Sequence, residues 1–322
     1  MPVIATLTMN PALDLSTSAE RVEPVRKLRC SAARRDPGGG GVNVARVAHR
    51  LGARAIAIFP SGGLTGQMLE RLIDAEGVES VAVAVGGETR EDVTVLDESS
   101  GEQYRFVLPG PHLHGVEWMA CLRALAELPT RPDFVCASGS LPPGVPDDFY
   151  ARVAEIVESW GVRLALDTSG APLKAALSER VFLIKPNLRE LRELTGAPLA
   201  DEPSRVSACR ALIARGRVGA VALSLGHEGA LLVTAHDAWR AEALPIRPVS
   251  SVGAGDSFLG AMVWGLASKL TLKESFNLAM AGGSAALLAA GTELARAADL
   301  RRLLAQVIVE PVPEPRAAAV GR

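Results

Sequence analysis

Cysteine, histidine and clustered positive charge are all sparse in this chain, and each scarcity removes a class of function. The four cysteines, Cys30, Cys121, Cys136 and Cys209, lie far apart in 322 residues and form no CxxC pair. Such spacing supports no thiolate metal site, and free thiols in a reducing, cytoplasmic setting are expected. Five scattered histidines make no HExxH and no His/Cys grouping, which argues against a protein-built transition-metal centre. Lysine and arginine total 34 against 36 acidic residues, a formal net charge of -2 with no basic run. Nothing electrostatic therefore points to nucleic acid or a membrane surface as partner. The apolar run Val3 to Leu7 is too short for a span and has no basic leader. Two nucleotide fingerprints are also missing. The first apolar run ends in Asn10-Pro11 rather than GxGxxG, and no glycine run leads into Gly-Lys-Ser/Thr, which removes a dinucleotide-dependent dehydrogenase and a Walker A protein. No internal repeat is found.

Glycine, by contrast, is concentrated at two helix starts. Pro37-Gly38-Gly39-Gly40-Gly41-Val42-Asn43 precedes Val44, Val47, Ala48 and Leu51 at helical spacing. Four glycines there allow a ligand to approach backbone closely; a merely flexible loop is the plainer reading. Farther on, Ser250-Ser251-Val252-Gly253-Ala254-Gly255-Asp256 opens a run with Phe258, Leu259, Met262, Val263 and Leu266 on one face. Backbone N–H groups turned toward one point at a helix start form a cradle for phosphate oxygens. Asp256, in the first turn, is placed to accept a hydroxyl proton beside such a phosphate. Against this stands the plain reading of a turn followed by a helix-favouring acid.

In chain order, Val3 to Thr8 reads as a buried strand. Asp14 follows at its carboxyl end, where open α/β sheets bind ligands, or else as a solvent-facing loop carboxylate. Residues 15–35 have no helical period and read as an excursion from the core. Strand and helix alternate from Ala55 to Val85; Asp92 to Asp97 and Gln103 to Leu108 then alternate around Ser99-Ser100-Gly101 as a hairpin. Arg90 enters that hairpin as a solvated charge or a sugar-phosphate clamp. Later strands end in Ser138-Gly139-Ser140, Asp167-Thr168-Ser169-Gly170, Lys185-Pro186-Asn187 and Leu225-Gly226. Apolar strands separated by amphipathic helices imply a doubly wound, mostly parallel α/β sheet flanked by helices. The excursion (about 15–35) and the hairpin (about 90–108) are expected to form a small β-sheet lid inserted in one domain, 1–308. The Pro-rich residues 309–322 are expected to be a disordered tail.

These residues resemble the ribokinase-like carbohydrate kinases of the phosphofructokinase B family. The likeness spans Thr6 to Thr292 and rests on Pro37-Gly-Gly-Gly-Gly-Val-Asn43-Val-Ala-Arg46 and Val252-Gly-Ala-Gly-Asp256-Ser. The 6-phosphofructokinase branch is the nearest, through Lys27-Leu28-Arg29-Cys30, the segment Gly101 to Gly110 and the uninterrupted glycine run. The 1-phosphofructokinase and tagatose-6-phosphate kinase branches usually carry Lys where this chain has Gly40.

The resemblance implies a division of labour. Asp256 is the implied catalytic base and Gly253, Ala254 and Gly255 the anion hole for the transferring phosphoryl group. Asp14, Gly38, Gly39, Asn43 and Ser140 would bind sugar hydroxyls, and Arg90, Lys27 and Arg29 the sugar phosphate. Lys185 and Asn187 would approach the ATP phosphates, with Ser224, Gly226 and Gly229 along the nucleotide and Met280, Gly283 and Ser284 near adenine. The last three have helix packing as an equally plain reading. Asn187 and Glu190 would organise Mg2+, largely through water. Backbone carbonyls of Ser250, Val252 and Gly291 would serve a monovalent cation such as K+, although relatives can carry Asn and Arg where this chain has Ala289 and Glu293. The implied reaction is ATP-dependent phosphorylation of fructose 6-phosphate in glycolysis. The alternatives are the two sister activities or, in another class, a non-catalytic sensor of nucleotide or sugar phosphate. A sensor would be expected to have lost one of Asp256, Glu190 and Asp14; all are present. A homodimer formed through the lid is expected, because short β-ribbons need cover.

Overall fold

The structure, a computed structural model, describes residues 1–313. Its first half runs β1 (Val3–Leu7), β2 (Ala12–Ala19), β3 (Arg34–Gly38), α1 (Gly40–Arg50), β4 (Arg54–Ser61), α2 (Gly63–Ala75), β5 (Glu79–Ala84), β6 (Arg90–Asp97), β7 (Gln103–Val107) and α3 (Gly115–Ala126). There follow β8 (Phe134–Ser138), α4 (Phe149–Ser159), β9 (Arg163–Asp167), α5 (Gly170–Ala176), β10 (Val181–Ile184), α6 (Leu188–Thr195), α7 (Glu202–Ala214) and β11 (Val218–Ser224). The chain closes with β12 (Ala230–Val233), β13 (Ala238–Ala241), α8 (Ala254–Ala267), α9 (Leu272–Leu287), α10 (Ala297–Leu304) and β14 (Val309–Pro311).

A ten-stranded sheet has the order β14-β13-β12-β11-β10-β9-β8-β1-β4-β5. From β5 to β11 every neighbouring pair is parallel, and β12, β13 and β14 add antiparallel at one end. Parallel strands buried on both faces need apolar side chains on both. Accordingly β1 sends Ile4 into the layer with Val44 and Ala48 of α1, Met262 of α8 and Phe276 of α9. Its Ala5 and Leu7 go to the opposite layer with Leu125 of α3, Phe149 and Val153 of α4 and Leu212 of α7. Each fully buried Leu or Phe contributes roughly 1.5–3 kcal/mol, so these layers fix the ends of the strands rigidly. Helix α8 is apolar nearly all round because it lies between α1 and α9. Among the described residues no helix is long and apolar enough to cross a membrane.

The expected lid is a separate four-stranded sheet, β3-β2-β6-β7. Its roots lie deeper than the excursion 15–35 suggests. Strand β2 starts at Ala12, so Asp14 sits on a lid strand rather than in a loop, and Pro37 and Gly38 are the last residues of β3. The extended period-2 stretches Ala12–Ala19 and Arg34–Gly38 carry polar side chains on one face, which hides them from a search for apolar strands.

One sequence expectation needs correction, and one element carried no expectation. Val309–Pro311 pairs with Trp239–Ala241 as an edge strand, so the tail expected to be disordered from 309 is ordered at its start. Proline is tolerated there because an edge strand leaves one side unpaired; the rest of that expectation, from residue 314, falls outside the described residues. The β12–β13 hairpin was not read from the sequence at all. Its short strands, Ala-Leu-Leu-Val and Ala-Trp-Arg-Ala, are joined through Thr234, whose hydroxyl accepts from the N–H groups of His236 and Asp237.

Candidate active site

The strand order reverses between β1 and β8, and the crevice at the carboxyl ends of strands beside such a reversal is where open α/β sheets bind ligands. Here the lid overhangs that crevice and encloses a cavity of about 320 Å³. Its lining includes Asp14, Asn43, Arg90, Asp92, Arg105, Ser140, Asp167, Glu190, Gly253 and Asp256. A larger cleft of about 510 Å³ lies at the amino ends of β9, β10 and β11, among Arg163, Arg180 and Arg217. It brings together no carboxylate–amide constellation, so the chemistry belongs to the smaller cavity.

The two glycine-rich helix starts meet across this cavity. Gly253, in the left-handed region at φ 72°, is the cap residue of α8 and leaves the first N–H groups of Ala254, Gly255 and Asp256 free to face a ligand. Gly255 lies beside Lys185: a β-carbon built there would be 3.5 Å from Nζ. On the other side the four glycines are tightly packed, not flexible. A β-carbon on Gly38 would overlap the Asp14 carboxylate, and Gly39 adopts φ 101°. Gly40 backs onto the Ser138 hydroxyl, where a side chain would collide. The absence of lysine at residue 40 is therefore matched by the way this backbone packs.

Asp256 is joined to α1 by a hydrogen bond of 2.8 Å from Asn43 Nδ2 to its Oδ2. Burial pushes the Asp256 carboxyl up to about 6; the Asn43 bond, Lys185 and Arg105 oppose this and Asp167 adds to it. Asp14 is pushed further, to about 7, by burial and then by Asp92 and Asp256. The register explains the pairing: Asp14 of β2 is directly opposite Asp92 of β6, and like charges side by side disfavour joint ionisation. Lys185, buried at the end of β10, forms an ion pair of 3.2 Å with Asp167 Oδ2 at the end of β9. Burial works against its charge, yet Asp167 and Asp256 hold its pKa above the ordinary lysine value.

The remaining expected residues divide. Ser140 accepts from Asn10 Nδ2 at 3.2 Å, in a loop held by the Tyr150 hydroxyl donating to Gly139 O at 2.8 Å. Arg90 is at the cavity, but its guanidinium donates to Leu108 O (2.9 Å) and Asn10 O (3.1 Å) and pairs with Asp92 at 3.3 Å. Lys27 and Arg29 are exposed between β2 and β3 and do not line the cavity. Asn187 and Glu190 form a reciprocal helix cap, each side chain accepting from the other's backbone N–H at 2.9 Å; this spacing is a capping box as well as a candidate ion site. Ser224 pairs with Asn187 through a β-bridge, next to the turn at Gly226 and Gly229. Gly229 packs against the Ala241 carbonyl, which requires its glycine independently of any nucleotide. On α9, Met280 and Ser284 are buried, and Gly283 packs against Phe258 and the Ala254 carbonyl. Ser250 Oγ donates to Gly291 O at 2.8 Å and accepts from Val252 N–H at 3.2 Å, so these three residues form one closed loop.

Several cavity residues, Asp92, Ser138 and Thr168 among them, were given no site role from the sequence, and two of them matter most. Asp167 is one; its place at the carboxyl end of a parallel strand was the available signal. Arg105 is the other. Alternation along β7 with Gln103 and Val107 puts Arg105 on the inward face, and among the described residues it makes no hydrogen bond or ion pair.

Comparison with known proteins agrees with this geometry. The family model described as pfkB family carbohydrate kinase matches residues 4–298. The chain is 46% identical over 310 residues to ATP-dependent 6-phosphofructokinase isozyme 2 of Mycobacterium tuberculosis, covering 96% of this chain and 91% of that protein. It is 39% identical to the Escherichia coli protein of the same name (94% and 98% covered) and 35% identical to 1-phosphofructokinase of Xanthomonas campestris (96% and 98% covered). Among solved structures, phosphofructokinase-2 from Escherichia coli in complex with potassium superposes with a TM-score of 0.90 at 38% identity, covering 95% of this chain and 99% of that one. Two further structures of that protein, in complex with fructose-6-phosphate and as a tetrameric inhibited form, superpose with TM-scores of 0.88 at 37% identity and the same coverage. A cavity between two glycine-rich helix starts under a β-sheet lid, together with a family match over almost the whole length, makes this chain a member of the pfkB family of carbohydrate kinases.

Proposed function

We propose that the protein transfers the γ-phosphoryl group of ATP to the 1-hydroxyl of fructose 6-phosphate, giving fructose 1,6-bisphosphate and ADP. The observation that carries this reading is the polarity of the cavity. Asp256 and the α8 N–H groups come to the cavity from a main-body helix, the cations Arg90 and Arg105 come from the lid strands β6 and β7, and the glycine loop adds no charge of its own. A sugar with its phosphate toward the lid presents its far hydroxyl to Asp256. That hydroxyl oxygen attacks the γ-phosphorus, the bond to the bridging oxygen of ADP breaks, and the proton passes to the Asp256 carboxylate. Asp14 and Asn43 orient the hydroxyls, and Lys185 offsets charge on the phosphates.

Among the described residues no three His, Cys, Asp or Glu side chains converge as a metal site. Magnesium fits as an ion carried on the ATP phosphates, where it would offset developing charge. Glu190 has one carboxylate oxygen taken by its helix cap and lines the cavity with the group that remains, which suits a contact through water. A monovalent cation would be held by the carbonyl oxygens of Ser250, Val252 and Gly291.

The test is kcat/KM for fructose 6-phosphate, tagatose 6-phosphate and fructose 1-phosphate, in wild type and in Arg90→Ala. Fructose 6-phosphate should be preferred. Tagatose 6-phosphate, differing at one hydroxyl worth about 0.5–1.5 kcal/mol, should keep some activity. A preference for fructose 1-phosphate, or no loss in Arg90→Ala, overturns the assignment.

A further inference from the structure

Behind the glycine loop lies a buried charge cluster with no direct access to the cavity. Arg46 on α1 is fully buried. Its Nε and Nη2 both donate to Glu76 Oε1 at the end of α2, and Arg50, one turn along the same face, donates to Glu76 Oε2 at 3.0 Å. That leaves Nη1, which points forward: it donates to Pro37 O at 2.7 Å and to Asn43 Oδ1 at 3.2 Å. Burying a guanidinium is costly unless every donor finds a partner, and core packing alone would be served as well by Leu or Met at this position.

We infer that Arg46 is a positioning residue for the phosphoryl-transfer base, acting through Asn43. The chemistry of the three groups allows one arrangement. A guanidinium only donates and a carboxylate only accepts, so Asn43 must turn its oxygen to Arg46 and its NH2 to Asp256. Reversing the amide would set donor against donor and oxygen against carboxylate. Arg46 therefore keeps an N–H aimed at Asp256 Oδ2 and, through Pro37 O, holds the backbone that leads into the glycine loop. An N–H fixed on Asp256 favours the ionised state that accepts the substrate proton. The other groups facing Asp256 are Lys185 and Asp167 from the ends of β10 and β9, Asp14 and Arg105 from the lid, and the Cys136 thiol of β8; none of them touches Asn43 by a hydrogen bond among the described residues.

The inference rests on Asp256 being the base, and the experiment separates the two ideas. The variant is Arg46→Met combined with Glu76→Gln, which removes both charges together and leaves neither buried alone; Arg46→Lys, which keeps the charge without the fork, is the companion should the pair fail to fold. Titrating the Asp256 carboxyl by carbon-13 NMR should show it protonating at higher pH than in wild type, without any turnover being needed. In assays kcat should fall about 10- to 100-fold, the range of a misplaced reacting group, with its acid limb displaced to higher pH and KM for the sugar changed less. In an Asn43→Ala background the same Arg46/Glu76 change should displace the Asp256 titration no further, because Arg46 reaches Asp256 only through the Asn43 amide. An unmoved Asp256 titration, or the same displacement in the Asn43→Ala background, overturns the inference and leaves Arg46 a stabilising residue only. A wild type that phosphorylates no sugar would instead count against the proposed function.

Discussion

Among the residues of the site, Asp256 and Asp14 carry opposite consequences for activity and stability. Asp256→Asn retains shape and removes the proton acceptor. A positioned base contributes about 10²–10⁴-fold, so kcat should fall within that range while ATP binding, followed by calorimetry, stays nearly unchanged. Retention of more than roughly a tenth of wild-type kcat would be inconsistent with such a base. Both carboxyls are raised on folding, to about 6 and about 7, from ordinary values near 4. The folded state thus binds more protons than the unfolded one between about pH 4 and pH 7, and stability from these groups is present at the acid end and lost as pH rises through that window. Asp14→Asn, which cannot ionise, should raise Tm by a few degrees at pH 8 and by little or nothing at pH 4. Equal gains at both pH values would show that the ionised carboxylate is not what the fold tolerates at a cost. Activity has the contrary dependence, because the base must be ionised, and kcat should decline on the acid side of about pH 6.

Among the elements, the lid is where sequence and structure part furthest. The parallel strands and the helices α1 and α8 were legible because burial on both faces leaves continuous apolar runs, and because Gly38 to Gly41 and Gly253 to Gly255 punctuate two helix starts. Asp256 and Asn43 stand at the cavity because each sits within a few residues of such a start, Ser140 because it follows the carboxyl end of β8, and Arg90 because it opens β6. The lid strands β2 and β3 were not legible, since Asp14, Ser16, Arg34 and Asp36 make one face polar, Asp14 at the cavity and the other three against Gly291, Thr292 and Glu293. Consequently Lys27 and Arg29 were assigned to a phosphate they do not face within one chain, while Arg105 went unassigned. Pairings between distant segments were hidden too: Arg46 and Glu76 are thirty residues apart, and only the packing of α1 beside the end of α2 joins them. The two lid cations also differ in use. Arg90 is tied to Leu108 O, Asn10 O and Asp92, so its removal loosens the lid root as well as the site. Arg105 has no such ties, and a charge-assisted bond to a phosphate is worth about 1.5–3 kcal/mol. Arg105→Ala should therefore lower kcat/KM for fructose 6-phosphate by about 10- to 100-fold with Tm unchanged. An unaltered kcat/KM would remove Arg105 from the phosphate site.

At the scale of the whole molecule, the lid leaves an apolar surface that the described residues of one chain do not cover. Alternation that turns Arg105 and Asp92 inward turns Tyr104 and Phe106 of β7, with Val93 and Val95 of β6, outward. Tyr104, Phe106 and Leu108 are 38%, 54% and 48% exposed. Side chains of this size contribute about 1.5–3 kcal/mol each when fully buried, and β7 is also an edge strand open to pairing. The lid's cavity-side face is tied to the body through Asp36 with Thr292, Arg34 with Glu293 and Gln103 with Ser250, whereas its outer face needs cover to hold Asp14, Asp92 and Arg105 in place. A second copy presenting the same face is self-complementary, which suits a two-fold dimer. The expected outcome is a dimer or larger species by light scattering at micromolar concentration. Replacing Tyr104 and Phe106 together by Asp should shift it toward monomer. In the same variant KM for the sugar should rise more than KM for ATP, because Asp14 and Arg105 are carried by the lid whereas Lys185, Asn187 and Gly253 are carried by the main sheet and its helices. A wild-type monomer with full activity, or an equal loss toward both substrates, would mean that contacts within one chain are enough to hold the lid.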